Sequence, residues 1–219
     1  WGQVSFLKAG LVYADRITTV SPTYATEIRQ PKYGRGLHRE LQQRGANVIG
    51  ILNGIDTSVW NPRSDRFIAA SYNLDDLSGK AECKRSLQRE LELPTEQNVP
   101  IVGMVTRLTA QKGIEELFST QFGIAERICR ELPLQWIVLG TGEPWCEEEI
   151  RRLDREYPNF AGVPAYNESL AHRFEAGSDF FLMPSRFEPC GLNQMYSMRY
   201  GTIPIATRTG GLADTVDVE

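Results

Sequence analysis

Two cations five residues apart are the first residues in this 219-residue chain whose types and spacing could do chemistry. Arg107 closes the apolar run PIVGMVT (100–106), and Lys112 lies at the start of the helical pattern that follows. A lysine there faces the positive end of the helix dipole, which is unfavourable unless an anion is bound. A guanidinium and an ammonium together could neutralise a diphosphate. A solvated Lys112 paired with Glu115 or Glu116 explains the spacing equally well.

A glycine pair is a second candidate for anion binding. The segment RTGGLADT (208–215) places Gly210 and Gly211 just before a helix that should begin near Leu212. Glycines let the backbone approach a ligand closely, and the unpaired amides of a helix N-terminus point toward an anion. Taken alone, such a turn more often simply connects a strand to a helix. Its coincidence with the two cations favours a phosphate.

An acid, Glu188, interrupts the apolar segment SRFEPCGLNQMYSMRYG (185–201). Because proline suits the first helical position, Pro189 predicts that Glu188 lies at a helix N-terminus, with Gly191 in the first turn. Glu188 could simply cap this helix. The helix should pack firmly through one face and end at a glycine. The packing face carries Leu192, Met195 and Tyr196, and the terminating glycine is Gly201. A firmly packed helix favours the further interpretation that Glu188 is a rigidly placed acid aimed into a ligand crevice.

The segment LGTGEPW (139–145) contains a G-x-G pair. The third glycine of a dinucleotide fingerprint is replaced by Trp145, and Pro144 precedes it. The broken fingerprint argues against a nicotinamide oxidoreductase.

The hydrophobic periodicity predicts the scaffold that positions these residues. Apolar runs predict strands at 16–21, 47–53, 100–106, 134–140, 159–166, 179–185 and 202–207. Helical patterns alternate with the later strands at 112–132, 148–157, 168–177, after Pro189 and after Gly211. Near-continuous apolar strands separated by amphipathic helices predict an α/β fold, a Rossmann-like parallel sheet with helices on both faces. Ligands of such sheets bind beyond the carboxyl ends of the strands, where Arg107 lies.

The elements also predict a division into domains. Residues 1–46 hold too few elements for a core and are interpreted as the tail of a neighbouring domain, whereas residues 47–219 form the Rossmann-like domain. Residues 55–79, rich in Asn, Asp, Pro and Ser, should form a long irregular connection. The chain begins at Trp1 and ends at Glu219 within an apparent helix, so we expect it to be a fragment of a longer protein.

Composition argues against several classes of protein. The formal net charge is −4, the sequence pI is near 5.4, and no long run carries one sign, which disfavours nucleic acid or an anionic membrane as partner. No stretch approaches the roughly 18 apolar residues of a membrane span. The four cysteines are widely spread and form no CxxC pair: Cys83, Cys129, Cys146 and Cys190. Their spacing disfavours a zinc knuckle or a disulfide framework and favours an intracellular protein.

Five segments carry a resemblance to a known family: KAGLVYADRITTVSPTYATEI, ILNGIDTSVWNP, VTRLTAQKG, SRFEPCGLNQMYSMRYGT and RTGGLADTV. In this order they resemble bacterial glycogen synthases and plant starch synthases, which are retaining glycosyltransferases of the GT-B fold. The resemblance implies transfer of glucose from ADP-glucose, in plants sometimes UDP-glucose, to the non-reducing end of an α-1,4-glucan. It implies no cofactor and no required metal ion. It also implies that residues 47–219 are most of the C-terminal, nucleotide-sugar-binding half of the fold.

The resemblance assigns roles residue by residue. Arg107 and Lys112 match the pair that binds the diphosphate of the departing ADP, and Glu188 matches the acid that faces the donor glucose. The other implied donor contacts are Cys190 and Gly191 for the glucose, Thr209, Gly210 and Gly211 for the distal phosphate, Tyr166 for the adenine, and Asn53 at the interdomain crevice. From the residues alone, Tyr166 is more often a packing residue, and Asn53 equally well forms a turn. Neither His38 nor His172 is assigned a catalytic role.

Two departures from the wider fold family limit the resemblance. Many retaining GT-B enzymes carry a second glutamate where this chain has Tyr196, so a ribose contact is in doubt, although starch and glycogen synthases commonly share the replacement. The N-terminal, acceptor-facing half would precede Trp1, so the isolated chain should bind ADP weakly and transfer almost no glucose. Another nucleotide-sugar glycosyltransferase of the same fold and a noncatalytic glucan-binding homologue are the alternatives. Bacterial cytoplasm or plastid stroma, and the oligomeric state, stay open.

Overall fold

The computed structural model describes residues 4–217 of the chain. Its strands are β1 (Ile17–Thr19), β2 (Val48–Gly50), β3 (Ile101–Val105), β4 (Gln135–Leu139), β5 (Phe160–Val163), β6 (Phe180–Met183) and β7 (Ile203–Ala206). Its helices are α1 (Phe6–Tyr13), α2 (Pro22–Glu27), α3 (His38–Arg44), α4 (Ser78–Glu90), α5 (Ile114–Phe118), α6 (Ala125–Glu131), α7 (Pro144–Glu156), α8 (Glu168–Gly177), α9 (Asn193–Arg199) and α10 (Gly210–Thr215). Short 3-10 helices cover Gly45–Asn47 and Ala110–Lys112.

The described residues form two compact units. The first unit holds the chain up to Gly54, the segment Phe187–Leu192 and the chain from Thr207 onward. The second unit holds Ile55–Arg186 and Asn193–Ala206. Strands β1 and β2 therefore lie in the first unit, and β3 to β7 in the second.

The second unit is built on a parallel sheet with the strand order β5-β4-β3-β6-β7. Strand β4 is buried along its whole length, as expected of a strand covered on both faces. Its neighbouring residues Trp136 and Ile137 belong to different hydrophobic clusters, one containing Phe118 and the other Phe174. Because successive strand residues point to opposite faces, these clusters are the packing on the two sides of the sheet. The predicted α/β fold with helices on both faces is confirmed.

The first unit contains the parallel pair β1 and β2, in register from Ile17 opposite Val48 to Thr19 opposite Gly50. Its small core joins Ala25 of α2, Leu41 of α3 and Val48 of β2. The strand expected over residues 47–53 is thus present but shorter, since Ile51 and Leu52 are exposed beyond its end.

The long helix predicted over residues 112–132 is wrong as a single element. Its first part is interrupted by Gly113, whose φ of +75° lies in the left-handed region. A second break follows α5, where Ser119 adopts φ −59° and ψ 130° and its carbonyl accepts the Gly123 amide at 2.7 Å. Glycine and Ser/Thr residues interrupt the helix even though the apolar spacing continues across the break.

Two further differences concern helices. Helix α4 has no counterpart among the predicted elements, although the irregular connection before it was predicted at 55–79 and helix α4 begins at Ser78. Helix α10 ends at Thr215. Glu219, which was expected to lie within that last helix, is outside the described residues.

Candidate functional site

Arg107 lies in the loop that leaves the carboxyl end of β3, in the second unit. The backbone of this loop bonds to the chain after β4, because the Thr106 amide donates to the Leu139 carbonyl at 3.0 Å and the Leu108 amide donates to the Thr141 carbonyl at 2.8 Å. Leu108 is buried in the core, whereas Arg107 is exposed. The alternation of an extended chain thus directs Leu108 inward and leaves Arg107 on the surface.

The G-x-G pair at residues 140–142 supports the Arg107 loop. A Cβ atom on Gly140 would lie 1.8 Å from the Thr106 carbonyl oxygen, and one on Gly142 would lie 2.1 Å from the Leu108 carbonyl oxygen. Such distances exclude any side chain, so the two backbones approach this closely only with glycine. These glycines are therefore explained by packing against the cation loop.

Lys112 ends the 3-10 helix Ala110–Lys112 and is half-buried. Its amide donates to the Thr109 carbonyl at 2.8 Å. The next residue, Gly113, has a positive φ, and a Cβ atom there would lie 2.2 Å from the Pro184 carbonyl oxygen. Arg107 and Lys112 thus occupy one loop at the carboxyl edge of the sheet, and its turn is completed by a position that requires glycine.

The carboxylates of Glu115 and Glu116, the partners considered for Lys112 in the alternative interpretation, bond to Arg186. The Arg186 Nε donates to Glu116 Oε1 at 2.7 Å, and its Nη2 donates to Glu115 Oε2 at 2.6 Å. These hydrogen bonds to Glu116 and Glu115 raise the pKa of the Arg186 guanidinium. Sequence reasoning missed Arg186. Its position just beyond the carboxyl end of a parallel strand was the signal that could have identified it.

Tyr166 lies beyond the carboxyl end of β5, and its side chain is 87% exposed. The interpretation of Tyr166 as a packing residue is therefore wrong. Its neighbour Asn167 starts α8, because the Asn167 Oδ1 accepts the Leu170 amide at 3.0 Å. An exposed aromatic ring at this edge is available for stacking on a planar ligand.

Asn53, in the first unit, is exposed in the chain that follows β2. It lies in a different unit from Arg107, Lys112 and Tyr166. Its assignment to the donor stays a prediction.

Glu188 lies in the first unit and is buried, with 6% of its surface exposed. The predictions that the helix starts at Pro189 and that Glu188 caps it are wrong, because α9 begins only at Asn193. Gly191, expected in the first helical turn, has a φ of +76°, which no right-handed helix permits. Leu192, expected on the packed face of that helix, precedes it and is exposed.

The glycine pair packs against the segment that contains Glu188. A Cβ atom on Gly210 would lie 1.8 Å from the Glu188 carbonyl oxygen, and one on Gly211 would lie 2.3 Å from the Cys190 carbonyl oxygen. The Gly211 amide donates to the Glu188 carbonyl at 3.0 Å. Four of the predicted first-unit residues are thereby brought together, and helix α10 begins at Gly210 instead of near Leu212.

Helices α2 and α10 cap each other through acidic side chains. The Glu27 Oε1 of α2 accepts the Thr209 hydroxyl at 2.9 Å and the Gly210 amide at 3.0 Å. In return, the carboxylate of Asp214 in α10 accepts the Thr23 amide at 2.8 Å and the Thr23 hydroxyl at 2.6 Å. The amide that was predicted to bind a phosphate therefore holds an internal carboxylate in this structure.

Tyr196 belongs to a packed aromatic stack in the second unit. Trp60 stacks on Tyr196 with ring centroids 3.8 Å apart, and equally on His172 at 3.8 Å. Burial raises the pKa of Tyr196. His172 is fully buried with its Nδ1 2.7 Å from Asp65 Oδ2, which also accepts the Tyr200 hydroxyl at 2.5 Å. This stack ties the irregular connection to α8 and α9, and it gives His172 a structural role.

Within residues 4–217, no group of three or more His, Cys, Asp or Glu side chains is arranged to hold a metal ion. In the same part of the chain, no helix combines the length and the apolar character needed to cross a membrane.

Comparisons with known proteins match both parts of the chain. The family model described as the starch synthase catalytic domain matches residues 1–43, and the model described as glycosyl transferases group 1 matches residues 99–219. The chain is 52% identical to a glycogen synthase from Treponema denticola over 217 residues, covering 99% of the chain and 44% of that protein. It is 55% identical to one from Anaeromyxobacter sp. over 216 residues, covering 98% and 44%. The chain thus spans less than half the length of these relatives.

Two solved structures of glycosyltransferases are also similar to this chain. The catalytic domain of starch synthase IV from Arabidopsis thaliana, bound to ADP and acarbose, superimposes with a TM-score of 0.88 and 42% identity, over 97% of this chain and 43% of that one. Sucrose-phosphate synthase from Thermosynechococcus elongatus superimposes with a TM-score of 0.59 and 23% identity, over 96% and 45%. The second likeness shows the fold alone.

Proposed function

The chain belongs to the group 1 glycosyl transferases, and from this premise we propose that its protein is a glycogen or starch synthase. The proposed reaction transfers glucose from ADP-glucose to the non-reducing end of an α-1,4-glucan with retention of configuration. Neither a cofactor nor a metal ion takes part in the proposed reaction. The protein is proposed to be intracellular, with no nucleic acid or membrane as partner.

The observation that carries the proposal is the cation loop after β3. Arg107 and Lys112 lie on one loop at the edge where parallel α/β sheets bind ligands, and Gly113, Gly140 and Gly142 are required for its close backbone contacts. Two cations on a closely held backbone can neutralise a diphosphate leaving group with little reorganisation of the loop during the reaction. The starch synthase relative was solved with ADP bound, which supports a nucleoside diphosphate as the anion.

The proposed mechanism is a same-face substitution. The bond between the anomeric carbon and the diphosphate oxygen breaks while the acceptor 4-hydroxyl forms its bond to that carbon from the same side. The leaving phosphate takes the hydroxyl proton, since none of the side chains proposed for the site within residues 4–217 is an obvious base. Arg107 and Lys112 stabilise the charge on the departing ADP, and Glu188 favours the positive charge that develops on the sugar.

The contacts proposed between the first unit and the sugar donor require that internal hydrogen bonds be broken first. Thr209, Gly210 and Gly211 are proposed to bind the distal phosphate, and the amides of Cys190 and Gly191 to bind the glucose. Because Glu27 accepts from both Thr209 and Gly210, a phosphate can reach the Thr209 hydroxyl and the Gly210 amide only when the Glu27 carboxylate releases them. Tyr166 is proposed to stack on the adenine, and Asn53 to contact the donor.

The proposal is tested with the protein at its full natural length. Calorimetric titration of ADP and UDP is combined with a glucose-transfer assay, in which ADP-, UDP- and GDP-glucose are each offered with a glucan primer. ADP binding together with ADP-glucose-dependent elongation is the expected result. Glucan binding that does not depend on ADP, with no transfer from any donor, would instead identify a noncatalytic homologue. Transfer from another donor would identify a different glycosyltransferase.

The isolated 219 residues provide a second test. We expect them to bind ADP weakly and to transfer almost no glucose, because one wall of a donor site supplies neither acceptor positioning nor exclusion of water. Robust elongation by these residues alone would contradict this part of the proposal.

A further inference from the structure

Arg186 contacts the turn that carries Lys112 on both sides. Its backbone amide donates to the Gln111 carbonyl at 2.9 Å, immediately before Lys112. Its guanidinium donates to Glu115 at 2.6 Å and to Glu116 at 2.7 Å, immediately after the turn. A single residue of the segment after β6, Arg186, therefore contacts the chain both before and after Lys112.

Fold stability does not explain this arrangement, because the ion pairs are exposed to solvent. The exposed fraction of the side chain is 42% for Arg186, 42% for Glu115 and 50% for Glu116. Ion pairs of this exposure contribute little to stability, because water and salt screen them. The backbone bond to Gln111 and the close approach of Gly113 to Pro184 already hold the turn without any charge. The guanidinium therefore needs another explanation.

The electrostatics of the loop supply that explanation. Glu115 and Glu116 lie in the first turn of α5, where the helix dipole favours acids. They follow Lys112 by only three and four residues, so their separation from it is comparable with the screening length of about 10 Å at 0.1 M salt. Two uncompensated negative charges there would repel the anion that Lys112 is proposed to bind. Arg186 pairs with both acids, and its single positive charge offsets one of their two negative charges.

We propose that Arg186 is a positioning residue for diphosphate binding. Its positive charge offsets half of the negative charge of Glu115 and Glu116, so that three cations outweigh two acids and the loop of Arg107 and Lys112 presents a net positive charge to the ligand. The inference rests on the proposed function, since it assumes that this loop binds ADP. It extends that function to a residue that acts through its neighbours and does not itself touch the ligand.

The test is calorimetric titration of ADP into the full-length protein in four forms. These are the wild type, Arg186→Gln, the double variant Glu115→Gln with Glu116→Gln, and the triple variant that combines all three changes. Arg186→Gln should weaken ADP binding about fivefold, the effect of roughly 1 kcal/mol of exposed charge interaction. The triple variant should bind ADP at least as tightly as the wild type, because both repelling acids are gone. A merely structural role of the ion pairs would not be rescued by removing both partners.

A matched control is available in the same unit. Arg173 makes a bidentate ion pair with Glu90, away from the cation loop. Its Nε donates to Glu90 Oε2 at 2.8 Å, and its Nη2 donates to Glu90 Oε1 at 2.9 Å. Arg173→Gln should leave ADP binding unchanged. The fivefold loss in Arg186→Gln should also shrink as salt is raised, because the repulsion of exposed acids is screened.

Several outcomes would overturn the inference. These are wild-type ADP affinity in Arg186→Gln, a triple variant as weak as Arg186→Gln, or the same loss in Arg173→Gln. If Arg186→Gln does not fold, the double variant, which keeps Arg186, decides alone: it should bind ADP at least as tightly as the wild type, and weaker binding contradicts the inference. Failure of the wild type to bind ADP would be a different result, since it refutes the proposed function.

Discussion

The two regions proposed to bind donor phosphate are held in opposite ways. In the second unit, the loop of Arg107 and Lys112 is positioned by close backbone contacts at three glycines, and the neighbouring acids form ion pairs with Arg186. In the first unit, the donors at Thr209 and Gly210 already hold the Glu27 carboxylate. The cation loop therefore carries the positive charge that an anion needs, whereas the α10 turn must exchange an internal anion for an external one.

The largest expected effect separates catalysis in the first unit from binding in the second. In the full-length protein, Glu188→Ala should lower kcat by about 100- to 1,000-fold, as removal of a preorganised electrostatic group does. ADP affinity should change little, because this acid is proposed to face the sugar and not the diphosphate. The measurement combines transfer kinetics with ADP titration. An equal loss of turnover and of ADP affinity would contradict the assigned role.

The glycine contacts behind the cation loop are tested by Gly142→Ala. The new Cβ would meet the Leu108 carbonyl oxygen at 2.1 Å, so the Arg107 loop must shift. We expect a loss of about 1–3 kcal/mol in the free energy of unfolding, the usual cost of overpacking. Urea denaturation measures it.

Gly10→Ala is the matched control for Gly142→Ala. A Cβ atom on Gly10 of α1 would meet nothing within 4 Å, so this change should stabilise the protein slightly through helix propensity. If both variants were equally stable, the claim that the G-x-G pair exists for close packing would fail.

The binding role of the second unit is tested by Lys112→Ala. Loss of a charged hydrogen-bond donor to a phosphate should weaken ADP binding about tenfold. The effect on kcat at saturating donor should be smaller than that of Glu188→Ala. A Lys112→Ala variant with unchanged ADP affinity would remove Lys112 from the proposed diphosphate pair.

The fold was predictable where periodicity and strand ends decided it. Strands β3 to β7 follow near-continuous apolar runs, and Arg107 and Lys112 were selected because they follow the end of β3. The break of the long helix at residues 119–124 was missed because the apolar spacing continues through it, although Ser119 and Gly123 are poor helix formers. The start of α9 was misplaced because Pro189 suits a helix start, whereas Gly191 takes a left-handed φ that only the folded structure reveals.

The partnerships of charged side chains were the least predictable part of the candidate site. Glu115 and Glu116 lie near Lys112 in sequence, yet their partner Arg186 is about 70 residues away, brought close by the pairing of β3 with β6. Glu27 and Gly210 are separated by 183 residues. Such pairs depend on tertiary packing, and no local pattern encodes them.

The smallest expected effect concerns the internal anion of the α10 turn. Glu27→Gln keeps an oxygen that can accept from Thr209 and Gly210 but removes the negative charge. The mutual capping of α2 and α10 should weaken by about 0.5–1 kcal/mol, the lower part of the range for a lost cap. If Glu27 must release these donors to a phosphate, ADP should bind the full-length variant a few-fold more tightly than the wild type, because a neutral acceptor is displaced more easily than a carboxylate.

Asp214→Asn is the matched control, since it alters the opposite cap on Thr23 and should lower stability without tightening ADP binding. Tighter binding in both variants, or in neither, would mean that the two regions do not differ in the way described.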